Sequence, residues 1–319
     1  MDNKITKRRL YDFLAYEWIA IIAVIVAAII GWNLIFTMTS VKLNVGQDFK
    51  FFYDETIDYG SGNDIYNLFT KEDNPERTIF SYDVLKLSHE VLNAEYNVLK
   101  ERLSVQEGDV IITDCSQPKD SNGSVRAVDI INSLPVCDYQ TLKEDAEDYL
   151  AQLLKDSLKS QYAQDRESVD VTDFDNLDSA KIEAMFRERM KKDNRYRKES
   201  QKQEGIALEK ERIKDLCLEV KKFKHLLNAG DEYFFNYEYV SEYQENKGIR
   251  PYGLKVEMLS GGEGKDLPSK FFKKTDADDA KDIVILVFDL IQYQPHLQFE
   301  SIAFINAIVD GCSNLYDGF

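Results

Sequence analysis

The sequence predicts an α/β protein, in which an N-terminal transmembrane helix is followed by an exterior α/β domain. Residues 19–36 are an uncharged apolar run, long enough to cross a hydrocarbon core as a helix. Two short runs rich in β-branched residues, 109–114 and 283–288, are typical of strands buried on both faces of a parallel sheet. Helical patterns lie between these strands and after the second one, and this order of elements predicts the α/β class.

Charge predicts how the helix at residues 19–36 is oriented. Four basic residues precede it: Lys4, Lys7, Arg8 and Arg9. After it only Lys42 is close. Basic residues mark the cytoplasmic side, so residues 1–18 are predicted to be cytoplasmic and the rest extracellular, in a single-pass protein of the cell membrane. A cleaved signal peptide is the alternative, but the apolar run is long for one and lacks a good cleavage site.

Composition limits the partners. The chain has 44% hydrophobic residues, and 57 acidic against 40 basic residues give a net charge of −17. Nucleic acid is excluded as a partner, because phosphate binding needs concentrated Lys and Arg. An acidic surface also repels anionic lipid headgroups, so residues 19–36 are predicted to be the only membrane contact.

Motifs for chemistry are absent from the sequence. No G-x-S-x-G, H-E-x-x-H, Walker loop or dinucleotide fingerprint occurs, so we expect no enzyme activity, no metal and no cofactor. The aspartate-rich residues 168–178 lack the spacing of a calcium-binding EF-hand loop, which favours a solvated loop. Residues 260–264 favour a flexible glycine-rich turn over a phosphate loop. The four cysteines show no zinc spacing; free, mostly buried thiols are favoured, with a Cys115–Cys137 disulfide as the alternative.

The exterior domain, residues 40–319, is predicted from apolar spacing. Strands are expected at 48–58, 109–114, 233–243, 252–259 and 283–288. Helices are expected at 81–103, 141–162 and 299–313. Thr141 is the candidate N-cap of the second of these helices.

A charged helical insertion is predicted around residues 179–229. Its middle, residues 191–204, is almost wholly charged or polar. That composition fits either an exposed projecting helix or a flexible link between two helices. The second half carries an apolar stripe that is too short for a strong coiled-coil signal.

Two segments resemble a known family. Residues 96–114 (YNVLKERLSVQEGDVIITD) are similar to the helix, turn and strand of extracellular solute-binding proteins, and residues 282–312 are similar to the late strand and final helix of that fold. Together with the basic and aromatic lead into residues 19–36, they resemble membrane-anchored, solute-binding-like proteins of Firmicutes bacteria. The resemblance implies a type 2 periplasmic-binding-protein-like exterior domain, in one lobe or two, and a role in transport.

Candidate ligand-binding residues lie at two strand ends. Ligands of open α/β sheets bind outside the carboxyl ends of the strands, which selects Tyr53, Asp54, Thr113 and Asp114. The carboxylates would suit a cationic or polyhydroxyl ligand, and the ring would stack on either. The structural alternatives are that Asp54 and Asp114 cap turns or helices and that Tyr53 belongs to the core.

Two functions follow from these features. The first is a membrane-tethered extracytoplasmic protein that binds a small-molecule ligand without catalysis. The second is a structural or interaction subunit of an envelope or transporter complex, which acts through its exposed helices. A deep, polar and aromatic cleft between two lobes would favour the first, and a filled or missing cleft would favour the second.

Overall fold

The structure of the protein is a computed structural model. It describes residues 7–39, 48–58, 68, 70–71, 74–78, 86–92, 96–105, 107–116, 123–162, 176–191, 194–239, 248–260, 263–277, 279–289 and 298–319. The chain divides into two compact units, Met1–Leu43 and Asn44–Phe319. Most of the aspartate-rich loop, residues 168–175, lies outside the described residues.

The first unit is built on one long helix, α1 (Lys7–Thr39). Its segment Trp18–Ile35 has a mean hydropathy of 2.5, and none of it is buried. Within the described residues it is the one helix long and apolar enough to cross a membrane. A membrane anchor and a signal sequence share these properties, so the helix is a candidate for either.

The second unit contains short and long strands. In chain order they are β1 (Asp48–Asp54), β2 (Ile57–Asp58), β3 (Thr70–Lys71), β4 (Asn74–Thr78), β5 (Lys86–Leu92), β6 (Val110–Asp114), β7 (Val136–Cys137), β8 (Phe234–Glu238), β9 (Ile249–Lys255), β10 (Lys273–Lys274) and β11 (Ile283–Phe288). The main sheet has the order β5-β1-β6-β11-β9-β8, and β7 also pairs with β11. Two small sheets pair β10 with β2 and β3 with β4.

The main sheet is mixed. β1 is parallel to both β5 and β6, whereas β11 is antiparallel to β6, β7 and β9, and β8 is antiparallel to β9. The run at 283–288 is therefore a fully buried strand, as its sequence predicts, but not a parallel one. A strand that is buried on both faces is apolar throughout, whether it is parallel or antiparallel to its neighbours. The sequence pattern therefore could not distinguish a parallel from an antiparallel strand.

Helices cover both faces of the sheet. They are α2 (Tyr96–Ser104), α3 (Arg126–Ser133), α4 (Tyr139–Ser157), α5 (Ser179–Arg189), α6 (Glu199–Leu227) and α7 (Gln298–Cys312). α4 to α7 bury their apolar sides in one core cluster with Phe51, Ile112 and Ile285, and α2 and α3 pack on the other face with Phe52 and Ile111. The second unit is thus a three-layer α/β arrangement. It is not divided into two lobes among the described residues, and the binding-protein-like fold remains a proposal.

The predicted helix at 81–103 is wrong in its first half. Residues 86–92 form β5, which pairs residue by residue with β1, and the helix begins only at Tyr96. Leu87 and Leu92 are buried, whereas Val91 is exposed. Their spacing fits a helix as well as a half-buried edge strand, and pairing with β1 decides between them.

Helix α4 begins two residues earlier than predicted. Its N-cap is Asp138, whose Oδ1 accepts a hydrogen bond of 2.9 Å from the backbone N–H of Thr141. Thr141 lies inside the first turn instead of capping it. An Asp side chain satisfies an otherwise unpaired amide at a helix start as well as Thr does.

All four cysteines are thiols and none forms a disulfide, which confirms the preferred prediction. Cys137, Cys217 and Cys312 are buried and Cys115 is half-buried. Burial raises the pKa of Cys217 and of Cys312 to about 12. These thiols stay protonated at neutral pH, and a thiol is far less reactive than a thiolate.

Candidate functional site

The ends of β1 and β6 lie side by side at one edge of the sheet. The two strands are parallel and pair Tyr53 with Ile112, so Asp54 comes next to Thr113. The Thr113 hydroxyl donates to Asp54 Oδ2 at 3.4 Å. The sequence places both residues at strand ends, and the pairing of β1 with β6 brings them together.

Asp54 is held by a cation from α3. Its side chain is 3% exposed, and its Oδ2 accepts a 2.7 Å hydrogen bond from Arg126 Nε. The backbone N–H of Thr56 lies 3.4 Å from Oδ1. Removing a carboxylate from water is costly unless a countercharge and hydrogen bonds replace the water, so Arg126 is what allows Asp54 to be buried here.

Asp114 lies on the opposite face of the sheet and has its own cation. Its Oδ2 is 3.1 Å from Lys274 Nζ, which is also 3.7 Å from Asp282. Its Oδ1 accepts a 2.7 Å hydrogen bond from the backbone N–H of Ser116, which is an Asx turn. Asp114 therefore caps a turn, the structural alternative that the sequence left open.

Tyr53 belongs to the core. Its side chain is buried, and its ring centroid lies 6.0 Å from that of His89 on β5. Side chains alternate along a strand, so Tyr53 and Asp114 face one side of the sheet while Asp54 and Thr113 face the other. The four predicted residues share one edge, but they do not form one pocket wall.

The thiol next to this edge, Cys115, is a weak acid. Burial, together with the carboxylates of Asp282 and Asp114, raises the pKa of Cys115 to about 12. At neutral pH it is a neutral thiol. Among the described residues, no group of three or more His, Cys, Asp or Glu is placed to hold a metal ion.

Arg126 and Lys274 were not found by sequence reasoning. Arg126 is far from Asp54 in the chain and starts a helix after residues 117–122, which lie outside the described part. Lys274 stands in a short polar segment before the acidic residues 275–282. No local signal marks either residue as a partner, because the contacts arise only when the sheet brings distant segments together.

A second candidate surface is formed by α5 and the first half of α6. We call it the α5–α6 hairpin, residues 179–213, with its turn at Asn194–Tyr196. Phe186 and Tyr196 meet edge to face at 4.9 Å, directly over Gly205. A Cβ at Gly205 would collide with the Phe186 ring, so the close approach of the two helices requires glycine.

The hairpin is fixed by a buried charge cluster. Glu209 Oε1 accepts hydrogen bonds from Arg212 Nη2 at 2.7 Å and Nε at 3.1 Å, and Glu209 Oε2 accepts one from Arg189 of α5. The side chains of Glu209 and Arg212 are 2% and 3% exposed. Residues 197–200, 203 and 204 are exposed, whereas Tyr196 packs on Phe186 of α5.

The outer surface of the hairpin is charged. Arg187 pairs with Glu183 and Glu199, and Lys191 pairs with Glu188. The side chains of Glu188, Lys191 and Glu199 are 80%, 70% and 60% exposed. Exposed ion pairs contribute little to stability, so these charges are available for a role in contacts.

Replacing Asp114 by Asn is expected to lower the free energy of unfolding by about 1 kcal/mol, the upper end for a partly exposed ion pair. Asn keeps the Asx turn but removes the charge that faces Lys274. Asp54→Asn is the matched comparison, and it should cost more because it leaves Arg126 beside a buried neutral group. Urea unfolding of the solubilised full chain measures both. An equal loss for the two variants would contradict this assignment of roles.

No known protein-family model, no curated protein and no solved structure matches this chain.

Proposed function

We propose that this protein is a membrane-tethered, non-catalytic subunit of a cell-envelope complex that acts through contacts of its exterior domain. The observation that carries the proposal is the α5–α6 hairpin: its inner side is fixed by the Arg189–Glu209–Arg212 cluster and its outer side is exposed and charged. A helix held rigidly in place loses little entropy when a partner binds it.

The geometry at the carboxyl edge of the sheet supports the same choice. Asp54 is engaged by Arg126, and Asp114 by Lys274. A cationic ligand would have to compete with the cation that the chain itself supplies to each of these carboxylates. The paired acids therefore favour an interaction protein over a receptor for cationic solutes.

The tether in this proposal is residues 19–36, with residues 1–18 in the cytoplasm and the second unit outside the cell. The apolar, unburied segment Trp18–Ile35 and the basic residues before it support this topology. We expect the full chain to stay in the membrane fraction through high-salt and alkaline washing, and an epitope at its C-terminus to be accessible to external protease in intact cells. Release of the second unit into the soluble fraction would instead identify a cleaved signal sequence.

Site-specific photo-crosslinking in native membranes tests the contact role. A crosslinker at Gln203 or Ala207, both exposed on α6, should give one discrete, salt-sensitive adduct. Lys100, exposed on α2 across the sheet, is the matched control and should give none. If all three positions gave the same adducts, or none gave any, the hairpin would not be the contact surface.

Solute binding is the second candidate function, in the manner of a membrane-tethered binding protein of a transporter. One observation favours it: Arg126, with 29% of its side chain exposed, sits at a helix start beside the carboxyl ends of two parallel strands. Ligands of open sheets bind at such edges, and a guanidinium there suits a carboxylate. A thermal-shift screen of amino acids, sugars and polyamines separates the two functions. A saturable shift that Arg126→Gln abolishes would replace the first proposal by this one.

A further inference from the structure

Charge is distributed unevenly along this acidic chain. Residues 187–202 run from the last turn of α5 to the first turn of α6 and contain eight basic and three acidic residues. The whole chain, by contrast, has 40 basic and 57 acidic residues. We call residues 187–202 the basic tip of the α5–α6 hairpin. The tip is a local excess of positive charge that the net charge of −17 conceals.

Several cations of the basic tip lie on its outer surface. The Lys191 side chain is 70% exposed, and the neighbouring residues Arg197 and Lys198 are exposed. Arg195 is half-buried, and its guanidinium carbon lies 5.3 Å from the centroid of the Tyr196 ring. These positive groups are therefore gathered at the turn between the two helices.

The described acids of the basic tip do not balance this charge. Glu188 lies 3.8 Å from Lys191, and Glu199 pairs with Arg187 and lies 3.7 Å from Lys202. Asp193 lies outside the described residues. In the part of the tip that the structure describes, the cations outnumber these two acids, so positive charge remains in excess.

The cations at the start of α6 do not serve the helix. The N-terminus of a helix carries a partial positive charge and favours acidic side chains. Ser, Thr, Asp and Asn are the preferred N-cap residues. Here the N-cap is Lys198, and Arg197 precedes it. Residues that break a local rule of this kind are expected at functional sites, so a binding role explains these cations better than helix stability does.

The basic tip is held in one conformation. Tyr196 packs edge to face on Phe186 of α5 at 4.9 Å. The backbone N–H of Lys198 donates a hydrogen bond of 2.9 Å to Gln201 Oε1 in the first turn of α6. A charged surface on an ordered turn loses little conformational entropy when a partner binds it.

We infer that the basic tip binds an acidic segment of a partner protein. This inference names the partner class for the contact surface proposed above and rests on that proposal. Carboxylates bind guanidinium and ammonium groups through charge-assisted hydrogen bonds. An extended anionic surface, such as a lipid bilayer, would also meet the acidic remainder of the domain, which repels it. A short acidic segment can bind the tip alone, because exposed charges more than about 8 Å away are largely screened at physiological salt.

Binding of a fluorescent polyglutamate peptide to the full chain in phosphatidylcholine nanodiscs tests the inference. Fluorescence anisotropy should show saturable binding that weakens as the salt concentration rises. Arg197→Glu combined with Lys198→Glu, the tip variant, should weaken binding by about tenfold or more, since each exposed ion pair contributes up to about fivefold. No binding by the wild-type chain, or unchanged binding by the tip variant, would overturn the inference.

The matched control is Lys155→Glu combined with Lys159→Glu. Both lysines are exposed, and they lie near the start of α5, where the Asp178 N–H binds the Ser157 carbonyl oxygen. This control changes the net charge as much as the tip variant does and should keep the wild-type affinity. An equal loss in the two variants would show a general charge effect and overturn the inference.

The stability of the tip variant distinguishes binding from folding. Acidic side chains favour a helix start, so urea unfolding should show the tip variant to be at least as stable as the wild type. A clear loss of stability would assign these cations to the fold instead of to a partner.

Anionic vesicles test the lipid alternative. Vesicles of phosphatidylcholine and phosphatidylglycerol in equal parts are mixed with the full chain in its phosphatidylcholine nanodiscs and floated on a density gradient. We expect the chain not to float with them. Flotation that the tip variant abolishes would assign the basic tip to lipid and overturn the inference.

Photo-crosslinking from Gln203 separates this inference from the proposed function. An adduct that forms with wild-type yield in the tip variant would leave the hairpin contact standing and refute an acidic partner. Peptide binding without any adduct would do the reverse: the contact function would fall, and the basic tip would remain a binding surface for acidic segments.

Discussion

Glu209→Gln is expected to lower the free energy of unfolding by about 3–5 kcal/mol, the usual cost of removing one partner from a buried ion pair. Glu209 binds Arg212 through two nitrogens of one guanidinium and also binds Arg189. Without its charge, Arg212 would be left 3% exposed beside a neutral amide. That cation would lose the countercharge that offsets part of its desolvation.

Glu183→Gln is the matched control for this prediction. Glu183 also pairs with an arginine, Arg187, but 43% of the Glu183 side chain and 35% of the Arg187 side chain are exposed. An exposed pair of this kind contributes about 0–1 kcal/mol. Urea unfolding of the solubilised full chain measures both variants. A loss below about 1 kcal/mol for Glu209→Gln would mean that water enters the hairpin and screens the cluster.

Ile285→Ala is expected to cost about 2–5 kcal/mol, the range for cutting a buried isoleucine to alanine. Ile285 is fully buried in β11 and pairs with Ile112 on one side and Leu254 on the other. Its carbonyl oxygen also accepts a 2.8 Å hydrogen bond from the Tyr139 hydroxyl. The surrounding strands are fixed by the sheet, so they cannot close over the lost volume.

Ile249→Ala is the matched control, because it makes the same truncation at an exposed isoleucine. Ile249 starts β9 and is 70% exposed, so its truncation should change stability by no more than about 0.5 kcal/mol. Equal losses for the two variants in the same unfolding measurement would show that the middle of the sheet is misplaced.

The central strands could be predicted from sequence because they are buried on both faces. The runs 110–112 and 283–288 are continuous and apolar, and a pattern of this kind needs no knowledge of neighbours. β5 could not be predicted in the same way. It lies at the edge of the sheet with Val91 exposed and Leu87 buried, and it becomes a strand because β1 offers it a partner.

The candidate site could be predicted in part for the same reason. The sequence places Asp54 and Thr113 at strand ends, but they are close because β1 and β6 are parallel neighbours, which the sequence alone does not establish. The partners Arg126 and Lys274 come from segments whose position depends on the whole fold. The four residues are divided between two faces because side chains alternate along a strand. A register shift of one residue would have moved each side chain to the other face.

The insertion shows what composition can and cannot predict. The run of charges at 191–204 predicts exposure, and residues 197–200, 203 and 204 are exposed. It does not predict that Tyr196 packs on Phe186 over Gly205, where a Cβ would collide with both rings. Charged residues there lie on the outer side of a packed pair of helices. Composition therefore predicts the exposed side of the hairpin, whereas the packing of its inner side depends on Gly205.

The position of β11 determines when the main sheet can be completed during synthesis of the chain. β11 lies in the middle of the sheet but near the end of the chain, and it joins β6 on one side to β9 on the other. Until residues 283–288 have been synthesised, β5-β1-β6 and β9-β8 remain two separate ribbons, each with an open apolar edge that can pair with other chains. A chain that stops before residue 283 should therefore be captured by chaperones or degraded, whereas one that lacks only residues 313–319 can still complete the sheet.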